Sequence, residues 1–108
     1  MTYTVEITRQ ADIDLRGIYE YIAFDLKAPG HAAGQLDRLE AQISSLDSMP
    51  RKFPAYRREP WRSRGVRMLP VDNYVVLYIP DDTTAVVSVL RVMYGGRDID
   101  AQLHSMTI

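Results

Sequence analysis

The sequence predicts an α+β domain: an N-terminal strand, an antiparallel helical hairpin, then an antiparallel three-stranded meander, with the helices packed on one face of a twisted sheet. Three observations predict it. Apolar residues recur at helical spacing through the first half, the period changes to that of strands after residue 65, and turn-forming residues separate the later apolar runs. The 108 residues, 46% hydrophobic and 25% charged, suit a single domain over 1–108 with one core, and they exclude a two-domain enzyme.

Each element has its own signal. Tyr3-Thr4-Val5-Glu6-Ile7 alternates and predicts a short strand with Tyr3, Val5 and Ile7 on the buried face. Thr8 offers a helix N-cap. Ala11, Leu15, Ile18, Ile22 and Leu26 then recur at steps of 4, 3, 4 and 4, which predicts an amphipathic helix ended by Lys27-Ala28-Pro29-Gly30. Ala32, Leu36, Leu39, Ile43 and Leu46 repeat the pattern in a second helix that stops at Ser48-Met49-Pro50. Residues 51–63 follow neither period and contain two prolines and five Arg/Lys, so they read as a surface connection. Val66 to Leu69, Tyr74 to Ile79 and Ala85 to Met93 read as strands, the second at the sheet centre, separated by the turn chemistry of Pro70 to Asn73 and Pro80 to Thr83. Tyr94 to Asp98 is a glycine-hinged loop, with a positive φ expected at Gly95-Gly96, and Ile99 to Met106 is a last short helix. With both long helices on one face, the other face of the sheet is expected to stay partly open to a partner.

Composition narrows the function classes. No run is long and apolar enough to span a bilayer and no secretory start is present, so the expected location is cytoplasmic. With no cysteine and only His31 and His104, both read as surface residues, no metal and no cofactor is expected. The net charge of −1 conceals a segregation: residues 51–67 hold 7 Lys/Arg against 1 Asp/Glu, while the flanking segments are both acidic. Arg51, Lys52, Arg57, Arg58, Arg62, Arg64 and Arg67, interleaved with Phe53, Tyr56 and Trp61, have the makeup of a surface that meets phosphates and stacks bases. The plainer alternative is a solvated loop whose arginines pair with acidic groups between Asp12 and Glu40. Arg91, inside an apolar strand, needs water or an acidic partner such as Asp98 or Asp100. Arg97, past the hinge, is freer to point outward.

The order of elements and three local strings resemble the RelE/ParE family of toxins from bacterial type II toxin–antitoxin modules, also known as plasmid stabilisation proteins. The strings are Ala11-Asp12-Ile13-Asp14-Leu15-Arg16-Gly17-Ile18-Tyr19-Glu20-Tyr21-Ile22, Gly65 to Tyr78, and Leu90-Arg91-Val92-Met93-Tyr94-Gly95-Gly96-Arg97-Asp98-Ile99. The resemblance implies a toxin that arrests growth and is held in a heteromeric complex by a cognate antitoxin from the adjacent gene. That antitoxin is expected on Leu15, Ile18, Ile22, Leu36, Leu39 and Ile43. RelE-like members cut mRNA in the ribosome with a basic and aromatic set and no metal, which here implies Arg67, Arg97, Tyr74 and Tyr94 as catalytic. This chain departs from that set, with Val66 and Met68 in place of lysines, Val75 in place of an arginine, and Leu103 where a terminal tyrosine stands. The chain is more similar to ParE-like members in Asp14 to Ile18, in Phe53-Pro54-Ala55, and in the ending set by Arg91, Val92, Gly95, Arg97 and Asp98. Such members inhibit DNA gyrase without chemistry of their own. On that branch Arg57, Arg58, Arg62, Arg64, Arg67, Arg91, Tyr94 and Arg97 are expected to face the target.

Overall fold

A computed structural model describes residues 2–96 and 98–105. The elements are β1 (Thr4–Ile7), α1 (Arg9–Glu20), α2 (Pro29–Ser44), β2 (Arg67–Val71), β3 (Tyr74–Asp81), β4 (Val86–Tyr94) and α3 (Ile99–His104). The sheet order is β1-β4-β3-β2. The meander is antiparallel as the turns between the apolar runs predict, and β1 joins it in parallel beside β4, so β3 and β4 are the two inner strands. Leu90 is an extra residue in β4, since Leu77 faces Arg91 while Tyr78 faces Val89.

One core lies between the sheet and the helices. Ala11 and Leu15 of α1, Leu39 and Ile43 of α2, and Leu46 pack on Leu69, Val71, Val76, Tyr78, Val87, Val89 and Val92. The Thr8 hydroxyl caps α1 by accepting from Ala11 N at 3.2 Å. Beyond Glu20 the single long helix of the periodic reading is corrected: Tyr21–Asp25 is a π turn, with Leu26 N donating to Tyr21 O at 3.0 Å. A π turn inserts one residue and rotates everything after it, so Ala23 is buried while Leu26 is 56% exposed. Pro29 does not interrupt a helix but opens α2, where its missing N–H costs nothing. Ile7, placed on the buried face by alternation, is exposed. The turn expected at Pro70 to Asn73 shrinks to Asp72-Asn73, with Asp72 at φ 54°, and Pro70 belongs to β2.

The second face of the sheet is not open. Val66, Val75, Leu77 and Met93 form a second core with Tyr56 and Trp61 from the basic segment and Leu103 from α3. The connection read as surface is therefore a cover for this face, anchored by its aromatics. It also closes the β2 edge: Met68 N donates to Pro54 O at 3.1 Å, and Pro70 has no N–H to offer there. On the opposite edge Thr4 N and Thr8 N turn toward β4, leaving Val5 and Ile7 N–H outward without a protein partner among the described residues.

Candidate functional site

Arg91 is 7% exposed and does not face solvent. Its partner is Asp14 of α1 rather than Asp98 or Asp100: Arg91 Nε donates to Asp14 Oδ2 at 2.7 Å and Nη2 to Oδ1 at 3.1 Å. Val92 N also donates to Asp14 Oδ2 at 2.9 Å. Asp14 thus satisfies β4 just beyond the point where β1 stops pairing with it. Three residues after Ala11 and four before Ile18, Asp14 borders the apolar stripe of α1, a charge beside the core face that calls for a cation, and Arg91 calls for an anion; spacing alone does not pair the two.

Arg67 is half-buried and is also occupied. Its Nη1 donates to Phe53 O at 2.6 Å and Arg51 O at 3.2 Å, holding the start of the basic segment against β2. Farther on, Tyr56 N donates to Val66 O at 2.8 Å and Val66 N to Trp61 O at 3.1 Å, so the segment folds back on itself beside the sheet. Tyr56 and Trp61, expected to stack bases, are buried; Trp61 is 4% exposed and meets His104 edge-on with centroids 5.6 Å apart. The Tyr56 hydroxyl donates to the Asp100 carboxylate. Burial first, and then that hydrogen bond, push the Tyr56 phenol up to about 12.

The arginines divide into tethered and unpaired. Arg51 pairs with Asp82 at 2.5 Å and Arg58 with Asp100 at 3.0 Å, partners that come from the β3–β4 turn and α3 rather than from Asp12 to Glu40. Arg57, Arg62 and Arg64 are exposed with no carboxylate partner among the described residues, and Arg64 lies 5.0 Å over the Trp61 ring. Glu59, the one acid of the segment, accepts from Ser63 N at 2.8 Å and Ser63 Oγ at 2.6 Å, which holds its carboxyl below the usual range.

At one end of the sheet Tyr74 and Tyr94 stack edge-to-face at 6.1 Å beside a shallow depression of about 270 Å³ lined also by Asp72, Asn73 and Gly95. Neither Gly95 nor Gly96 takes the positive φ expected of the loop; a Cβ at Gly96 would meet the exposed Tyr94 ring, which would have to turn aside. Burial, followed by the neighbouring Tyr21 and Tyr94, raises the Tyr74 phenol above its ordinary value. Asp72 is engaged by Arg38 Nε at 2.7 Å and Gln35 Nε2 at 3.0 Å, which keeps its carboxyl low. Arg97, the remaining member of the implied catalytic set, lies outside the described residues.

A groove of about 340 Å³ runs between α1 and α2, lined by Ile7, Leu15, Arg16, Tyr19, Leu36 and Glu40 among others. Of the residues expected to meet an antitoxin, Leu15, Leu39 and Ile43 are core, while Ile18, Ile22 and Leu36 are half-buried. Of the large apolar side chains that stand out, Tyr21, Phe24 and Leu26 lie on or just after the π turn, which a uniform helical period does not reveal; Ile7, Ile13, Met49 and Tyr94 are exposed as well. No cluster of His, Asp or Glu suited to a metal and no helix long and apolar enough to cross a membrane occur among the described residues.

A family model described as the ParE toxin of the type II toxin–antitoxin system parDE matches residues 5–99. No curated protein matches the sequence. Among solved structures, the chain is similar to one from the chromosomal ParDE system of P. aeruginosa, with a TM-score of 0.70 and 21% identity over 86% of this chain and 96% of that one. It is similar to the toxin–antitoxin complex RelBE2 of Mycobacterium tuberculosis, with a TM-score of 0.61 and 27% identity over 87% and 99% of the two chains. A free mutant of the E. coli RelE toxin gives a TM-score of 0.66 and 15% identity over 94% and 93%.

Proposed function

Since the chain belongs to the ParE toxin family of type II toxin–antitoxin systems, we propose that it arrests growth by binding and inhibiting DNA gyrase, with no chemistry of its own, and that a cognate antitoxin from the adjacent gene neutralises it. The observation that carries this reading is the fate of the sheet arginines. Cleavage of a phosphodiester needs cations free to stabilise the phosphorane and groups free to move protons. Arg67 is spent on two carbonyls and Arg91 on Asp14, while Tyr74 has its phenol raised and no unpaired cation or carboxylate beside it among the described residues.

The competing reading, a metal-independent endoribonuclease acting on ribosomal mRNA, rests on the paired Tyr74 and Tyr94 at an open depression. Pulse-labelling after induction separates the two. The gyrase reading expects DNA synthesis to stop while mRNA stays intact, and purified chain to slow supercoiling by gyrase in vitro. Continued DNA synthesis with mRNA cut inside ribosomes refutes it. Co-expression with the neighbouring gene product is expected to restore growth.

A further inference from the structure

The basic turn between Arg57 and Arg64 has a surface chemistry distinct from the rest of the molecule. We propose that this turn is a sequence-independent binding site for the phosphate backbone of duplex DNA. The inference deepens the gyrase reading and rests on it for where duplex would be met, because gyrase works on duplex.

Within this turn, setting aside Arg58, which is tied to Asp100, leaves Arg57, Arg62 and Arg64, all exposed and without a carboxylate partner among the described residues. They are held on an ordered scaffold: Arg62 N donates to Arg58 O at 3.0 Å, Arg64 N to Pro60 O at 3.2 Å, and Gly65 N to Arg62 O at 3.1 Å, with Trp61 buried beneath. Little backbone freedom then remains to be lost on binding. The planar fork of a guanidinium matches two phosphate oxygens.

What the turn lacks selects the ligand. Protein interfaces centre on a desolvated apolar or aromatic anchor, and none of the exposed large hydrophobic side chains falls between residues 51 and 67. Single-stranded nucleic acid is held by stacking on exposed aromatics, whereas Tyr56 and Trp61 are turned into the second core and Phe53, outside the turn, is half-buried against the first. A cationic surface with neither anchor nor stacking platform fits the regular phosphate rails of a duplex.

The test titrates the isolated full chain against a short labelled duplex of arbitrary sequence at increasing salt. Three phosphate contacts predict affinity falling about 40-fold between roughly 50 and 200 mM salt. The triple variant Arg57→Gln/Arg62→Gln/Arg64→Gln is expected to lose at least about tenfold in affinity and most of the salt slope, while Arg9→Gln on α1 leaves both unchanged. Wild-type affinity in the triple variant overturns the inference, as does displacement of the duplex by an equal concentration of single-stranded DNA, RNA or polyglutamate. A chain that binds duplex as described without slowing gyrase leaves this inference standing and removes the gyrase reading. A triple variant that loses duplex binding yet inhibits gyrase fully removes the duplex from gyrase inhibition and overturns its role there.

Discussion

Asp14 accepts two hydrogen bonds from the Arg91 guanidinium and a third from Val92 N–H, and both side chains are nearly inaccessible to water. Removing one member of such a pair strands the other charge, so Asp14→Ala is expected to cost about 3–5 kcal/mol. Urea denaturation measures it. Asp14→Ala with Arg91→Met should recover most of the loss, because no buried charge is then left unpaired; a double variant as unstable as Asp14→Ala alone counters this account. Two phenols make a second prediction. Burial pushes Tyr56 and Tyr78 up to about 12, with the Asp100 hydrogen bond adding to the effect at Tyr56, whereas an unfolded tyrosine titrates near 10. The folded chain therefore holds those protons more tightly. Their contribution is fully present below about pH 10 and is lost as pH rises toward 12. Thermal melts across that window, beside a tyrosinate absorbance titration in which Tyr56 and Tyr78 are the last phenols to ionise, check it. None of this was legible locally, because Asp14 and Arg91 lie 77 residues apart and a spacing argument sees only neighbours.

At the scale of elements the sequence was legible wherever a period runs unbroken. Four strands and the capped start of α1 follow from alternation, β-rich apolar runs, turn chemistry and apolar spacing, whereas α2 opens on the proline that the periodic reading took for a break. The reading goes out of phase at Tyr21–Asp25, because a π turn changes the count of residues per turn without changing their kinds. Periodicity treats Leu26 as core. The observed exposure predicts that Leu26→Ala shifts stability by no more than about 0.5 kcal/mol, whereas Ala23→Leu, forced into a packed site, costs about 1–3 kcal/mol. Denaturation midpoints decide between the two phases. The cover on the second sheet face was illegible for another reason: arginines outnumber the aromatics that anchor it, so the segment reads as solvated. Leu103, fully buried in that layer, is expected to cost about 2–5 kcal/mol as Leu103→Ala, which a free-standing α3 would not show.

For the molecule as a whole, two cores on opposite faces of one sheet leave three large apolar side chains exposed close together in sequence at the π turn, where Phe24 is 67% exposed beside Tyr21 and Leu26, with Ile7, Ile13, Met49 and Tyr94 exposed as well. The isolated chain is expected to self-associate through this patch, and Phe24→Ser/Leu26→Ser to reduce association in sedimentation velocity without lowering the melting temperature. Unchanged association places the contact elsewhere. The two margins of the sheet set a limit on such association. Along β2 the Met68 N–H is taken by Pro54 and Pro70 has none, whereas along β1 Val5 and Ile7 still offer theirs. A strand ladder between copies needs a donor row on each side of every copy to propagate. This sheet has one such row, so pairing through it stops at two chains, and growth into a fibril by edge addition has no second site from which to continue.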